Sequence, residues 1–548
     1  MKLSAISRRR SISVFCGLVV LFVILLINLF RIQILHRDFF LRLAQDQHQV
    51  TVTSYAPRAA ILDRHQKPLT VNRDSVAAFI LPHKLQAPKQ LKQFLRQHFP
   101  AALARLNSQQ YKYFMYIQRR LTPAQLRRLE QANLADIQLV NEPSRFYLGE
   151  ALGPVLGITD IDNRGLFGLE RAFNHRLAGE PAVFALEKEA RSGRFYFTKE
   201  TAQAGQLGQP VQITIDSDLQ FLAAQELQAA VTQFQAAEGA AVILEPHSGQ
   251  ILALVSYPNF NPNQTAPADL NLTKNRPVTE AHELGSVMKP FVALAALAEG
   301  VVTPDELIDC GGKKEVLIDG MRVSTVSADG VIPFWQVLTR SNNVGMVKVA
   351  QRLGPKLYDY YRKFGFGQKT NLNLAGEQAG LVSHPKNWSQ RSLVSLSFGY
   401  EITATLLQLA RAMGIIANHG YAVQLQLILQ PTSQQPALLQ RLLTEQVVQQ
   451  MRQILRANVQ AGTGRRAQIQ GYDIFGKTGT ANLLINGQYS KQRNIYTFVG
   501  FVERGDYQRV IAVYVKDSPQ KRLLASLVAA PLFEKIAEKM IIHDKLLN

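Results

Sequence analysis

Three stretches of this chain carry side chains whose types and spacing could run acyl-transfer chemistry on a serine hydroxyl. Ser286 and Lys289 lie three residues apart, Ser341 and Asn343 flank Asn342, and Lys477-Thr478-Gly479-Thr480 begins 136 residues after Ser341. A spacing of three stacks two side chains on one face of a helix. A lysine held there, desolvated or crowded by a second cation, can lose its proton and serve as base for the hydroxyl. Two other Ser-x-x-Lys pairs, Ser383 with Lys386 and Ser518 with Lys521, hold a proline between their ends, which disfavours a shared helical face. The Lys-Thr-Gly-Thr run follows strand-like Tyr472-Asp473-Ile474-Phe475. On an edge strand, Gly479 would let a substrate backbone approach and pair with it. Lys477, Thr478 and Thr480 could then hold a substrate carboxylate. Taken singly, each stretch has a plainer reading: Ser341 and Asn343 as ordinary caps, Lys477-Thr478 as a solvated turn.

The elements around these stretches must place them together. The apolar run Phe291 to Leu297 predicts a helix with Ser286 at its start. From Pro210 the pattern predicts a strand over Val211–Asp216, a helix over Leu219–Phe234 and a buried strand over Ala240–Leu244; Val510–Val515 reads as another buried strand. Two capping boxes, Thr122-Pro123-Ala124-Gln125 and Thr303-Pro304-Asp305-Glu306, predict helix starts, the first running through Leu129. The glutamine-rich stretch Gln424–Gln440 reads as a surface connection. The expected class is α+β, with an antiparallel sheet flanked by helices and the main boundary near Gly205.

With 548 residues the chain exceeds one core and predicts two or three domains. A composition of 47% hydrophobic and 19% charged residues is that of a folded protein. The formal charge of +20 favours an anionic neighbour, yet no zinc knuckle, phosphate loop or arginine-rich run points to nucleic acid. The eleven histidines include no His-Glu-x-x-His, so neither a metal nor another cofactor is expected. Ile12 to Phe30 is nearly uninterrupted apolar sequence and holds Cys16, which makes a disulfide with Cys310 implausible. Its length suits one membrane crossing, and no small-x-small cleavage site follows. Lys2, Arg8, Arg9 and Arg10 precede it, which predicts a cytoplasmic N-terminus and an extracytoplasmic, periplasmic remainder. Helical spacing through Ile32, Leu35, Phe39 and Leu43 extends the anchor outward as a stalk, before strand-like Val50–Thr53. The expected layout is a tail over 1–11, an anchor over 12–30, a mixed non-catalytic pedestal over 31–205 and a catalytic domain over 206–548.

In type and order, Ser286-x-x-Lys289, Ser341-x-Asn343 and Lys477-Thr478-Gly479-Thr480 resemble the three motifs of the penicillin-binding, serine-active transpeptidases. The resemblance extends through Asn275-Arg276-Pro277-Val278, Phe398-Gly399-Tyr400, Gly462-Thr463-Gly464 and Ala529-Ala530-Pro531-Leu532-Phe533. Pro57 to Arg64 and Gly165 to Glu170 are similar to pedestal motifs of class B members, which lack a glycosyltransferase domain. The short anchor and the run Asn371 to Glu377 most resemble the division-specific type. Four positions depart from the usual pattern: Leu284 and Val287 around the serine, Ala59 in the pedestal and Glu401 after Phe398-Gly399-Tyr400, the last two where glycine is usual.

What the resemblance implies is peptidoglycan D,D-transpeptidation, in the family's septal form, inhibited by β-lactams. Ser286 would attack the D-alanyl-D-alanine carbonyl, with Lys289 as base, Ser341 relaying a proton and Asn343 orienting the stem peptide. Backbone N–H groups of Ser286 and Thr480 would form the oxyanion hole. Implied partners are a membrane glycosyltransferase and other division proteins. The alternatives are a β-lactam sensor or β-lactamase on the same scaffold, and a non-catalytic membrane scaffold. Glu170-x-x-x-Asn174 mimics a deacylating carboxylate, but it precedes Ser286 and falls in the pedestal.

Overall fold

The computed structural model describes residues 5–40, 49–54, 57–108, 110–112, 114–188, 195–203, 205–264, 270–372, 374–429 and 440–547. The chain forms two compact units, one of residues 1–57 with 178–208 and one of residues 58–177 with 209–548. In the first, Ala5–Phe30 is a continuous α-helix that passes into a turn of π-helix over Arg31–Leu35. Residues 10–35, with a mean hydropathy of 2.9, are the one helix among the described residues long and apolar enough to cross a membrane. The rest of the predicted stalk, residues 41–48, lies outside the described residues. An antiparallel sheet of Gln49–Ser54, Ala182–Lys188 and Phe195–Gln203 completes this unit.

The larger unit is built on a five-stranded antiparallel sheet: β1 (Glu238–Leu244), β2 (Ile251–Tyr257), β3 (Asp473–Ile485), β4 (Gln488–Arg504) and β5 (Tyr507–Lys516). Their order across the sheet is β2-β1-β5-β4-β3, so β3 is an edge. Six helices matter to the site: α1 (Ser217–Gln233), α2 (Lys289–Ala298), α3 (Asn343–Leu353), α4 (Leu406–Ala417), α5 (Glu445–Ala461) and α6 (Ala525–Leu547). The unbroken apolar runs in β1 and β5 are explained by burial on both faces. Ala240, Val242 and Leu244 join the core that holds α2 and α4; Ala241 and Ile243 join the one that holds α1 and α6. The two histidine-to-carboxylate contacts of Asp216, to His65 at 3.0 Å and His543 at 3.1 Å, connect the residue 63–67 turn, the N-terminus of α1 and the end of α6.

Local signals fared unevenly. Pro123–Ala132 is a helix with the full Thr122–Gln125 capping box, and α1 starts at Ser217, two residues before the predicted Leu219, capped by Asp216. The strand predicted over Val211–Asp216 shortens to Val211–Gln212, paired in parallel with Ile61–Leu62. The helix predicted after Thr303 is absent. Thr303 N–H reaches Glu306 at 3.4 Å to close a turn, and Leu307–Asp309 pairs instead with Val331–Pro333. Part of the glutamine-rich stretch, residues 430–439, lies outside the described residues, as does Asn373.

Glu170 is fully buried and is spanned by two arginines, with Arg58 Nε 2.6 Å and Arg145 Nε 2.7 Å from its two oxygens. Asn174 accepts from Arg58 at 2.9 Å. Its role here is structural, tying residues 58, 145 and 170 of three separate segments. Glu170→Ala strands two buried guanidinium groups and is expected to lower unfolding stability by about 3–5 kcal/mol, measured by denaturant unfolding of the detergent-solubilised chain.

Candidate active site

Ser286 does not open an α-helix directly. Gly285–Met288 form a 3-10 turn, and α2 begins at Lys289, with Pro290 tolerated in its first turn. Ser286 stays partly exposed at this turn, while Lys289 is fully buried. Gly285 takes φ +61°, and its N–H donates to Gly399 O at 3.2 Å. Leu284 and Val287, the departures around the serine, are both buried core residues.

The second stretch meets the first through Lys289. Its ammonium lies 2.7 Å from Ser341 O, 3.2 Å from Ser341 Oγ and 2.6 Å from Asn343 Oδ1. Ser341 sits between the end of the Phe334–Thr339 helix and the start of α3, with φ +58°, a left-handed conformation uncommon outside glycine. Asn342, not Ser341 or Asn343, caps α3, its side chain accepting Gly345 N–H at 3.0 Å. Asn343 is thus free to face the lysine, and its Nδ2 is fixed by Ser324 O at 2.7 Å.

The third stretch lies on the edge strand β3, with Lys477 paired to Val499 and Thr480 to Tyr496. Lys477 is fully buried and donates to Ser341 Oγ at 3.1 Å. Two lysines therefore converge on one hydroxyl oxygen, which can accept from both and still donate its own proton. Burial holds Lys289 well below the ordinary lysine range, and the positive charge of Lys477 adds to this. Burial brings Lys477 down to about 7.

Gly479 has a use that the sequence reading did not foresee. A Cβ there would lie 2.6 Å from Leu284 O and 2.9 Å from Val287 N. The glycine lets β3 press against the backbone of the serine turn itself. Gly479→Ala is expected to push the strand from that turn and slow acylation by about 10²-fold, read by stopped-flow with a chromogenic β-lactam. Thr463 is a second missed residue. Its hydroxyl is 2.7 Å from Thr478 Oγ1 and 3.5 Å from Lys477 Nζ, and it donates to Asn458 Oδ1 at 3.1 Å. The Gly462-Thr463-Gly464 pattern marked the place without showing the role.

The chance motifs stay apart from this cluster. Ser383 and Lys386 lie at a short 3-10 turn, and Ser518 donates to Phe234 O. Among the described residues, one group of metal-ligating types converges, Asp216, Asp218 and His543, where Lys67 already pairs with Asp218. Cys16 and Cys310 are both free thiols.

A model of the penicillin binding protein transpeptidase domain matches residues 239–538, and one of the penicillin-binding protein dimerisation domain matches residues 53–213. The chain belongs to the penicillin-binding transpeptidase family. The probable peptidoglycan D,D-transpeptidase PbpC of Pseudomonas aeruginosa is 32% identical, over 87% of this chain and 85% of the relative. The peptidoglycan D,D-transpeptidase FtsI of Escherichia coli K12 is 29% identical, over 87% and 82%. Penicillin binding protein 3 of Mycobacterium tuberculosis, complexed with aztreonam, superposes with a TM-score of 0.69 at 27% identity, over 90% of this chain and 97% of that one. With its dimerisation domain and these relatives, the chain is a class B member most like the FtsI and penicillin-binding protein 3 type.

Proposed function

We propose that this chain is a peptidoglycan D,D-transpeptidase of septal wall synthesis that is acylated on Ser286 and inhibited by β-lactams. The observation that carries this reading is the convergence of two buried lysines, Lys289 and Lys477, on the Ser341 hydroxyl beside the Ser286 turn.

The chemistry follows from those contacts. Neutral Lys289 takes the Ser286 proton as Oγ attacks the carbonyl between the two D-alanines of a stem peptide. The tetrahedral oxyanion is held by the N–H groups of Ser286 and Thr480. Ser341 passes a proton to the departing amine of the terminal D-alanine, and the Ser286 ester remains. An amine of a second stem then attacks this ester, forming the new amide and returning the proton to Ser286. Asn343 orients the donor peptide, while Lys477, Thr478 and Thr480 hold its carboxylate and Gly479 lets the peptide lie along the free edge of β3.

The catalytic domain of this reading spans 206–548, on a pedestal over 31–205 and an anchor over 12–30. The four cations at Lys2, Arg8, Arg9 and Arg10 favour a cytoplasmic N-terminus and a periplasmic catalytic domain. The likeness to FtsI supports a membrane glycosyltransferase and other division proteins as partners. The test is intact-mass spectrometry of the purified chain after benzylpenicillin. The expected result is a lasting adduct of one penicilloyl group mapped to Ser286. Rapid loss of the adduct would favour a β-lactamase, and none on folded protein would favour a scaffold.

A further inference from the structure

We infer that Glu283 is a positioning residue for acyl transfer, clasping three segments so that the free edge of β3 stands at the correct distance from the serine turn. The inference rests on the transpeptidase reading and assigns a role to a residue outside its three motifs.

Glu283 lies three residues before Ser286. Its Oε1 accepts the Glu401 N–H at 2.7 Å and the Tyr489 hydroxyl at 3.0 Å. One carboxylate oxygen therefore joins the serine turn, the loop after Phe398-Gly399-Tyr400 and the first residues of β4. The neighbouring contacts tighten the same junction. Tyr400 meets Tyr489 edge to face at 5.2 Å, and its hydroxyl accepts Asn482 N–H at 3.2 Å. Gly399 approaches so closely that a Cβ there would sit 2.1 Å from Gly285 O.

Asn482 marks where this junction acts on β3. The regular pairing of β3 with β4 runs from Asp473 to Asn482 and shifts register just beyond it. Toward its start, the Lys477–Thr480 stretch is held by Ser341 and Thr463. Toward its end it is held through Tyr400, whose loop Glu283 secures. An edge strand has no neighbour on its outer side, so such side-chain ties set its position there. Glu401, where glycine is usual in the family, takes φ +58° to present its N–H to Glu283. A non-glycine residue in that conformation is strained, and the hydrogen bond offsets part of that cost.

The clasp would act on binding more than on chemistry. The clasp grips β3 at Asn482, beyond the Lys477–Thr480 stretch, where a substrate strand is held alike before and during the transition state, so loosening that end raises KM and leaves kcat nearly unchanged. The experiment is steady-state turnover of a D-alanyl thioester by the full chain in detergent, with thermal unfolding recorded alongside. Glu283→Ala is expected to raise KM by about 10-fold with kcat within about 3-fold, whereas Glu283→Gln, which keeps an oxygen acceptor, stays within about 2-fold in both. Tyr489→Phe, which removes one donor, should raise KM by about 3-fold. Glu283→Ala with unchanged KM would overturn the inference, as would Glu283→Gln failing as severely as Glu283→Ala. A lowered unfolding temperature with wild-type kinetics would make Glu283 merely structural, which also overturns it. The wild-type enzyme's own acylation decides the transpeptidase reading separately, because that reading fails if Ser286 is not acylated or if its adduct is rapidly lost, neither of which depends on Glu283.

Discussion

Ser286→Ala should leave the chain folded and unable to acquire any penicilloyl adduct, with acylation reduced by at least about 10⁴-fold. The expectation is large because the proposed mechanism makes this hydroxyl the bond-forming group. In the proposed mechanism Lys289, Lys477, Ser341 and Asn343 move protons or hold charge and form no bond to the carbonyl carbon. The substitution removes one partly exposed oxygen from a turn whose geometry is set by backbone contacts, chiefly Gly285 to Gly399 and the close approach of Gly479. Thermal unfolding within a few degrees of wild type, together with no mass shift, is the expected pair of results. A Ser286→Ala protein that still gains a stable adduct would show that another residue is the nucleophile.

The second large effect concerns the two buried lysines. Lys289→Met should slow acylation by about 10³-fold, since general-base transfer contributes about 10² to 10⁴. In the proposed mechanism the reactive form has Lys289 neutral. Its proton affinity is lowered by burial and by Lys477, so acylation should rise with pH through a range well below that of an ordinary lysine and then level. The lowered proton affinity of Lys477 has a consequence for stability. Lys477 holds its proton in the folded chain only below about 7, but in the unfolded chain up to the ordinary value near 10.5. Between those values the unfolded chain binds the extra proton, so folding stability rises with pH across that window. Below about 7 both states are protonated, and the cost of burying the charge is then fully present. Lys477→Met removes that cost. Its unfolding temperature relative to wild type should be most favourable near pH 6 and decline toward pH 10, measured by calorimetry in matched buffers. A pH-independent difference would show that Lys477 titrates normally. This places the lysine pair among the groups where stability is given up for function.

Several features were legible because their cause is local. The apolar run from Ile12 to Phe30 carries its own helix and its own solvent preference, whatever surrounds it. Thr122 to Gln125 forms its capping box because all four partners lie within one turn. The alternation in β1 and β5 was hidden, since both faces are buried and an unbroken apolar run is all that remains to read. Thr303 to Glu306 misled for an instructive reason. The same side-chain-to-backbone bond that opens a helix also closes a turn, and the distant strand Val331–Pro333 decided between them.

What the sequence by itself determined was the candidate membership of the site: a serine, two lysines, a second serine and an asparagine, in the order of the family's three motifs. The anchor and the α+β class belong with it, since periodicity and run length follow from the chain alone. Only the tertiary structure decided how those groups act on one another. It buried Lys289 and Lys477, aimed both at Ser341, left the capping of α3 to Asn342 and gave Gly479 to the serine turn. It also brought Glu283, Glu401 and Tyr489 to one oxygen across more than two hundred residues of chain. The physical reason is that residue type is written locally, whereas desolvation, charge proximity and close backbone approach depend on segments the fold brings together from far apart.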